Sequence, residues 1–81
     1  MSADAIAAAI ATSAVHRCRL AVWSEREVDG LSHLRRFHGV VVAVAGNDVY
    51  LRDGERVATF KVDEILACDP VPTLTPRQVG R

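Results

Sequence analysis

The sequence predicts a mainly β protein: a five-stranded antiparallel small barrel with an N-terminal α-helix, spanning residues 1–69. Three observations carry this. Between Phe37 and Asp69 the short runs FHGVVVAVA, DVYLR, ERVATFKV and VDEILACD follow one another at even spacing. The dipeptides Gly46-Asn47 and Asp53-Gly54 fall between them, and such residues close tight hairpins. The first dozen residues are rich in Ala, the best helix former.

Size and composition narrow the function classes. Eighty-one residues make one domain. A chain of this length buries only roughly 60% of its surface, which leaves no room for a deep substrate cavity. Hydrophobic residues make up 49% and aromatics only 5%, so the core must be mainly Val, Leu, Ile and Ala. Ten basic residues balance ten acidic ones. That neutrality argues against tight non-specific nucleic-acid binding, which needs a basic surplus. Nine of the ten cations are Arg, whose planar fork suits bidentate contact with carboxylate or phosphate. Two cysteines are too few for a disulfide scaffold. The N-terminus lacks a basic n-region, and no apolar run approaches the ~20 residues of a membrane span. A cytoplasmic protein with no membrane contact is expected.

Taken in order, residues 3–14 read as the helix, with Ser2 as its cap and Asp4 where the helix dipole favours an anion. Ile6 and Ile10 mark its apolar edge. Alone in water it would be marginal, so it must dock on the open end of the barrel. His16–Trp23 reads as strand one, with Cys18, Leu20 and Val22 on its apolar face. Ser24–Ser32 reads as the longest loop. Leu34–Ala45 is strand two, apolar on both faces over VVVAV, with Gly39 marking a bend or bulge. Val49 and Leu51 alternate with Tyr50 and Arg52 in strand three, and Val57–Val62 forms strand four. Val62–Ile65 reads as one helical turn before strand five, Leu66–Asp69. Pro70, Pro72 and Pro76 give residues 70–81 the character of a flexible tail. Leu20, Val22, Val41, Val49, Leu51 and Ile65 are the expected core.

This order of elements resembles the SH3-like small barrels, and in particular the Sm-like fold. The residues that carry the likeness are Gly39 in strand two, the Asp53-Gly54 hairpin and the ending Val62-Asp63-Glu64-Ile65. That ending is similar to the last strand of the Rho-binding antiterminators and of YolD-like proteins. The Hfq family of Sm-like RNA chaperones shares the order and has a Lys before the last strand, matched by Lys61. The likeness implies a small barrel that binds protein or RNA, the latter as a homo-oligomeric ring. Ala45 stands where Sm-like RNA binders usually carry Asp, and Asn47 where Hfq stacks an aromatic on a base. Val62 follows Lys61 where Hfq has His. A missing stacking ring removes on the order of 1–3 kcal/mol per base, which shifts the expectation from RNA towards a protein partner.

Among candidate sites, the strongest is the cluster Arg17, Arg19, Arg35 and Arg36 with His16, His33 and His38. Neighbouring strands one and two would set these side chains on one face, a site for phosphate or an acidic partner. The bland alternative is a solvated face neutralised by Glu25, Glu27 and Asp29. Trp23 and Tyr50 sit on the polar faces of their strands, where exposed aromatics serve protein contacts. His16, His33, His38 and Cys18 match no zinc spacing, so no metal site is expected. A Cys18–His nucleophile pair lacks an orienting group and an oxyanion loop, so no enzyme and no cofactor are expected. Cys18 reads instead as a small core residue. It should lie near Cys68 across the paired first and last strands, both as reduced thiols.

Overall fold

The computed structural model describes residues 1–71. Helix α1 runs Ala3–His16, followed by β1 (Arg19–Val28), β2 (Leu31–Ala45), β3 (Asp48–Asp53) and β4 (Arg56–Lys61). A 3-10 turn at Val62–Glu64 leads into β5 (Ile65–Pro70). All five strands are antiparallel in one sheet of order β4-β3-β2-β1-β5, which leaves β4 and β5 as its edges.

The Ser2 hydroxyl caps α1, accepting from the Ala5 N–H at 3.1 Å, and Asp4 lies in the first turn. Ile6, Ile10 and Ser13 recur at helical spacing and are the buried edge. Ile6 and Ile10 pack on Leu20, Val22, Val41, Val49, Leu51, Phe60, Ile65 and Cys68, which form one core. All six expected core residues are in it. Ser13 ties helix to sheet: its hydroxyl donates to the Cys18 carbonyl at 2.6 Å and accepts from the Val41 N–H at 3.1 Å.

β2 is the long strand and it divides its pairing. Arg19 to Val28 of β1 match Val40 to Leu31. Pairing with β3 begins only at Val40↔Arg52 and shifts register between Val41 and Ala43. Gly39 sits at the division. A Cβ there would meet the Arg52 carbonyl oxygen at 2.7 Å and the Phe37 ring at 2.9 Å, so close strand crossing requires glycine.

Several sequence readings are corrected. Ser24–Ser32 is no loop: β1 continues to Val28, and Asp29-Gly30, both at positive φ, close a two-residue turn onto Leu31. Every residue from Glu25 to Leu34 is exposed, so this ribbon extends past the core and shows no apolar alternation to read. VVVAV is not buried on both faces; Val41 is, whereas Val42 and Val44 are exposed. Asp53 ends β3, and the turn residues of the next hairpin are Gly54-Glu55. β1 begins at Arg19, so Cys18 lies before it and is only half-buried. The first and last strands do pair, with Cys68 opposite Val22. The two thiols meet carbonyls of Thr12 and Ile6, six residues or about 9 Å apart along the helix. Pro70 pairs with Leu20, and the Val71 N–H donates to the Arg19 carbonyl at 2.8 Å. From position 72 the expected flexible tail lies outside the described residues.

Candidate functional site

Register assigns the cationic side chains to faces. Neighbours along a strand point to opposite sides, and paired residues to the same side. Arg19, Val40 and Arg52 form one row across β1, β2 and β3. Ala21↔His38 and Trp23↔Arg36 continue the same outer face along β1 and β2. The sequence cluster is therefore assembled in part: Arg19, Arg36 and His38 share this face. Arg17 joins them at its end, lining a depression of about 430 Å³ with Arg19 and Arg52.

Arg35 does not belong to it. It pairs with Ser24 on the core side, its guanidinium carbon 4.3 Å from the centre of the Phe60 ring. There it donates to the Thr59 carbonyl on the outer edge of β4 at 3.4 Å. His33 lies out on the exposed ribbon opposite Arg26. His16 ends the helix. Among the described residues no three His, Cys, Asp or Glu side chains come together to hold a metal.

Two arginines that the sequence reading passed over lie beside it: Arg52 on the same face, and Arg56, paired with Asp53, on the opposite one over the Phe37 ring. Arg52 and Arg56 flank the β3–β4 turn, singled out there only as a fold signal. Because β2 parts from β3 beyond Val40, residues 36–38 and this hairpin tip face one another across a notch. It is a depression of about 250 Å³ lined by Arg19, Arg36, Phe37, His38, Asp53 and Arg56. Arg19 is held there by Asp53 at 3.1 Å and by the His38 carbonyl at 3.4 Å. Arg56 lies over the Phe37 ring at 5.3 Å. Among the described residues Arg17, Arg36, Arg52 and Arg56 make no ion pair. Asp53 is the lone carboxylate lining the notch. Asp69, opposite Ala21 on the same face, is two strands from His38, about 10 Å.

The remaining candidates have other surroundings. Lys61 pairs in register with Asp48 and donates to it at 2.8 Å. That hydrogen bond, with the Asp48 charge, raises the Lys61 pKa above its ordinary value. Trp23 is half-buried beside Arg36 and Ala67. Tyr50 is half-buried between Ala43 and Thr59. A second, apolar groove of about 260 Å³ runs between α1 and the β2–β3 turn, lined by Ala7, Ala11, Ala14, Val44 and Val62 among others. No helix among the described residues is long and apolar enough to cross a membrane.

No protein-family model, curated protein or solved structure matches the chain.

Proposed function

We propose that the chain is a non-enzymatic interaction module, a small open barrel of the Sm-like type. On this reading it is a regulator that docks an acidic segment of a protein partner on its arginine face. The observation that carries the reading is the concentration of arginines along two adjoining depressions, Arg19, Arg36 and Arg56 on the notch and Arg17, Arg19 and Arg52 on its neighbour, with Asp53 the one lining carboxylate, in a chain of zero net charge. Guanidinium forks bind carboxylates in bidentate fashion, and several together give register as well as attraction. Exposed Val42, Val44, Leu31 and Leu34 add apolar contact area that suits a protein better than a nucleic acid. The likeness to Rho-binding antiterminators is what points to a partner of the transcription or RNA machinery.

The alternative is an Sm-like RNA-binding ring. It is favoured by the open edges of β4 and β5, which in successive copies could pair head to tail. Both edges, however, are engaged within the chain. Arg35 holds the Thr59 carbonyl. Met1 meets the outer side of β5, its Sδ accepting from the Cys68 N–H at 3.3 Å and its ammonium donating to the Leu66 carbonyl at 3.4 Å. Of the nearby rings, Phe37 is covered by Arg56, and Trp23, beside Arg36 on the arginine face, is half-buried.

The test compares wild type with Arg36→Glu/Arg56→Glu against a Glu-rich peptide and against A-rich and U-rich RNAs by fluorescence anisotropy. Peptide binding lost in the double variant, with RNA held only at ~10⁻⁴–10⁻⁶ M, supports the reading. Submicromolar RNA binding lost in that variant would install the ring.

A further inference from the structure

We propose that the notch between Arg19, Arg36, His38 and Arg56 is a subsite for a phosphate monoester, so that the partner segment is recognised in its phosphorylated form. This rests on the acidic-partner reading above and narrows it.

Charge and shape both favour a phosphate here. Three arginines and a histidine line about 250 Å³, with Asp53 as the one carboxylate on the wall. A single carboxylate of a ligand offers one negative charge and one bidentate edge. A phosphomonoester carries about 1.5 to 2 negative charges near neutral pH and three acceptor oxygens, enough for more than one fork at once. The cations are arginines, whose planar donors match that geometry better than an ammonium. They are also placed for it. Arg19 is oriented across the notch by Asp53 and the His38 carbonyl, and Arg56 is stacked on Phe37, so two of the three forks are already held.

The same geometry favours a phosphopeptide over RNA. A nucleic-acid backbone offers a string of single charges and needs an extended basic track with aromatic platforms between. Here three arginines line one depression, with Arg17 and Arg52 on an adjoining one, Arg56 covers the Phe37 ring, and Trp23 is half-buried.

Asp53 pairs with Arg19 on the wall of the notch, at 3.1 Å. A dianion entering must compete with it. Asp53→Asn keeps the shape and the turn-compatible side chain while removing the repelling charge, so it is expected to tighten phosphate binding. A role in structure alone would not change affinity in that direction.

The experiment uses one short peptide with flanking glutamates and a central residue that is Ser, Glu or phosphoserine, titrated into the full chain, with inorganic phosphate followed by amide shifts as a separate arm. The phosphoserine form is expected to bind at least about tenfold tighter than the Glu form, as one further charge-assisted hydrogen bond would give. That advantage should vanish in Arg36→Gln and shrink in Arg36→Lys, which keeps the charge but not the fork. It should survive Arg52→Gln, on the same face outside the notch, and grow in Asp53→Asn. Inorganic phosphate should shift amides of residues 36–38 and 53–56. Melting curves of each variant separate lost binding from lost folding, and Arg36→Lys, at an exposed position, keeps the test valid if Arg36→Gln fails to fold.

Equal binding of the Glu and phosphoserine peptides would overturn the phosphate inference while leaving the acidic-partner reading intact. No binding of either peptide would overturn both. RNA bound more tightly than the phosphopeptide would overturn the inference in favour of the ring.

Discussion

Arg17 follows the helix with φ 58° and ψ 33°, a left-handed conformation that usually falls to glycine at this position. An L-residue there costs about 1–2 kcal/mol. Glycine would return about 0.5–1 kcal/mol of that through its freedom in the unfolded chain. Arg17→Gly is therefore expected to stabilise the fold by roughly 1 kcal/mol, about 4–8 °C in melting temperature for a domain of this size. It should at the same time weaken binding to the acidic peptide, because the proposed docking face loses one guanidinium fork. A variant that melts lower, or one that binds as well as wild type, would contradict that account. Cys68 gives a second expectation at this scale. Burial first, and the Asp69 charge second, push its thiol pKa above the ordinary value. The unfolded chain then loses this proton from about pH 8.5, while the native state holds it longer. Stability is full below that pH and falls as pH rises through the native value. Melting temperatures measured between about pH 7.5 and 9.5 should decline more steeply for wild type than for Cys68→Ala. The raised Lys61 pKa acts in the same direction but at higher pH, from about 10.4 upward. Parallel slopes for the two proteins would refute the role given to Cys68.

At the scale of elements, the β1–β2 ribbon separates into two halves. Near the helix its inner residues, Leu20 and Val22, are fully buried. Beyond Ser24 nothing covers it, and Leu31 and Leu34 are 65% and 74% exposed. A lone two-stranded ribbon is marginal in water, so the outer half is held by its continuity with the core, by the Asp29-Gly30 turn and by the Arg26–Glu64 pair at 3.7 Å. Leu31→Lys/Leu34→Lys should shift the unfolding free energy by no more than about 0.5 kcal/mol. Leu20→Ala, in the same strand pair, should cost about 2–5 kcal/mol. Denaturant midpoints distinguish the cases: a loss in the double lysine variant comparable to that of Leu20→Ala would show that the ribbon packs on a second copy.

At the scale of the molecule, the sheet's two ends are each engaged inside one chain, β4 through Arg35 at Thr59 and β5 through Met1 at Leu66 and Cys68. Edges treated this way resist strand addition. A monomer is therefore expected in sedimentation at micromolar concentration, and a hexamer or heptamer would transfer support to the ring. The molecule's charge also acquires a direction that its zero sum conceals. Arginines gather at the notch, whereas Glu25, Glu27 and Asp29 lie along the exposed ribbon and Asp63 and Glu64 in the 3-10 turn. Such separation would orient the proposed acidic partner before contact, an effect that salt should weaken.

The residues by themselves determined the helix, the five strands, two of the three hairpin turns and all six of the expected core positions. Each of these rests on short-range chemistry: alanine propensity, alternation over a buried face, and glycine at turns. The ribbon was illegible because alternation records burial, and Glu25 to Leu34 have no burial to record. The candidate site was half legible. Arg17, Arg19, Arg36 and His38 could be collected from neighbouring strands, but adjacent Arg35 points to the other face and lies on Phe60. Arg56 reaches the notch only because β2 leaves β3 at Gly39, which lets the hairpin tip face residues 36–38, while Arg52 lines the adjoining depression. Local sequence sets which side of a strand a charge occupies. Which charges then confront one another is decided by where strands part and bend, and that is a property of the tertiary structure alone.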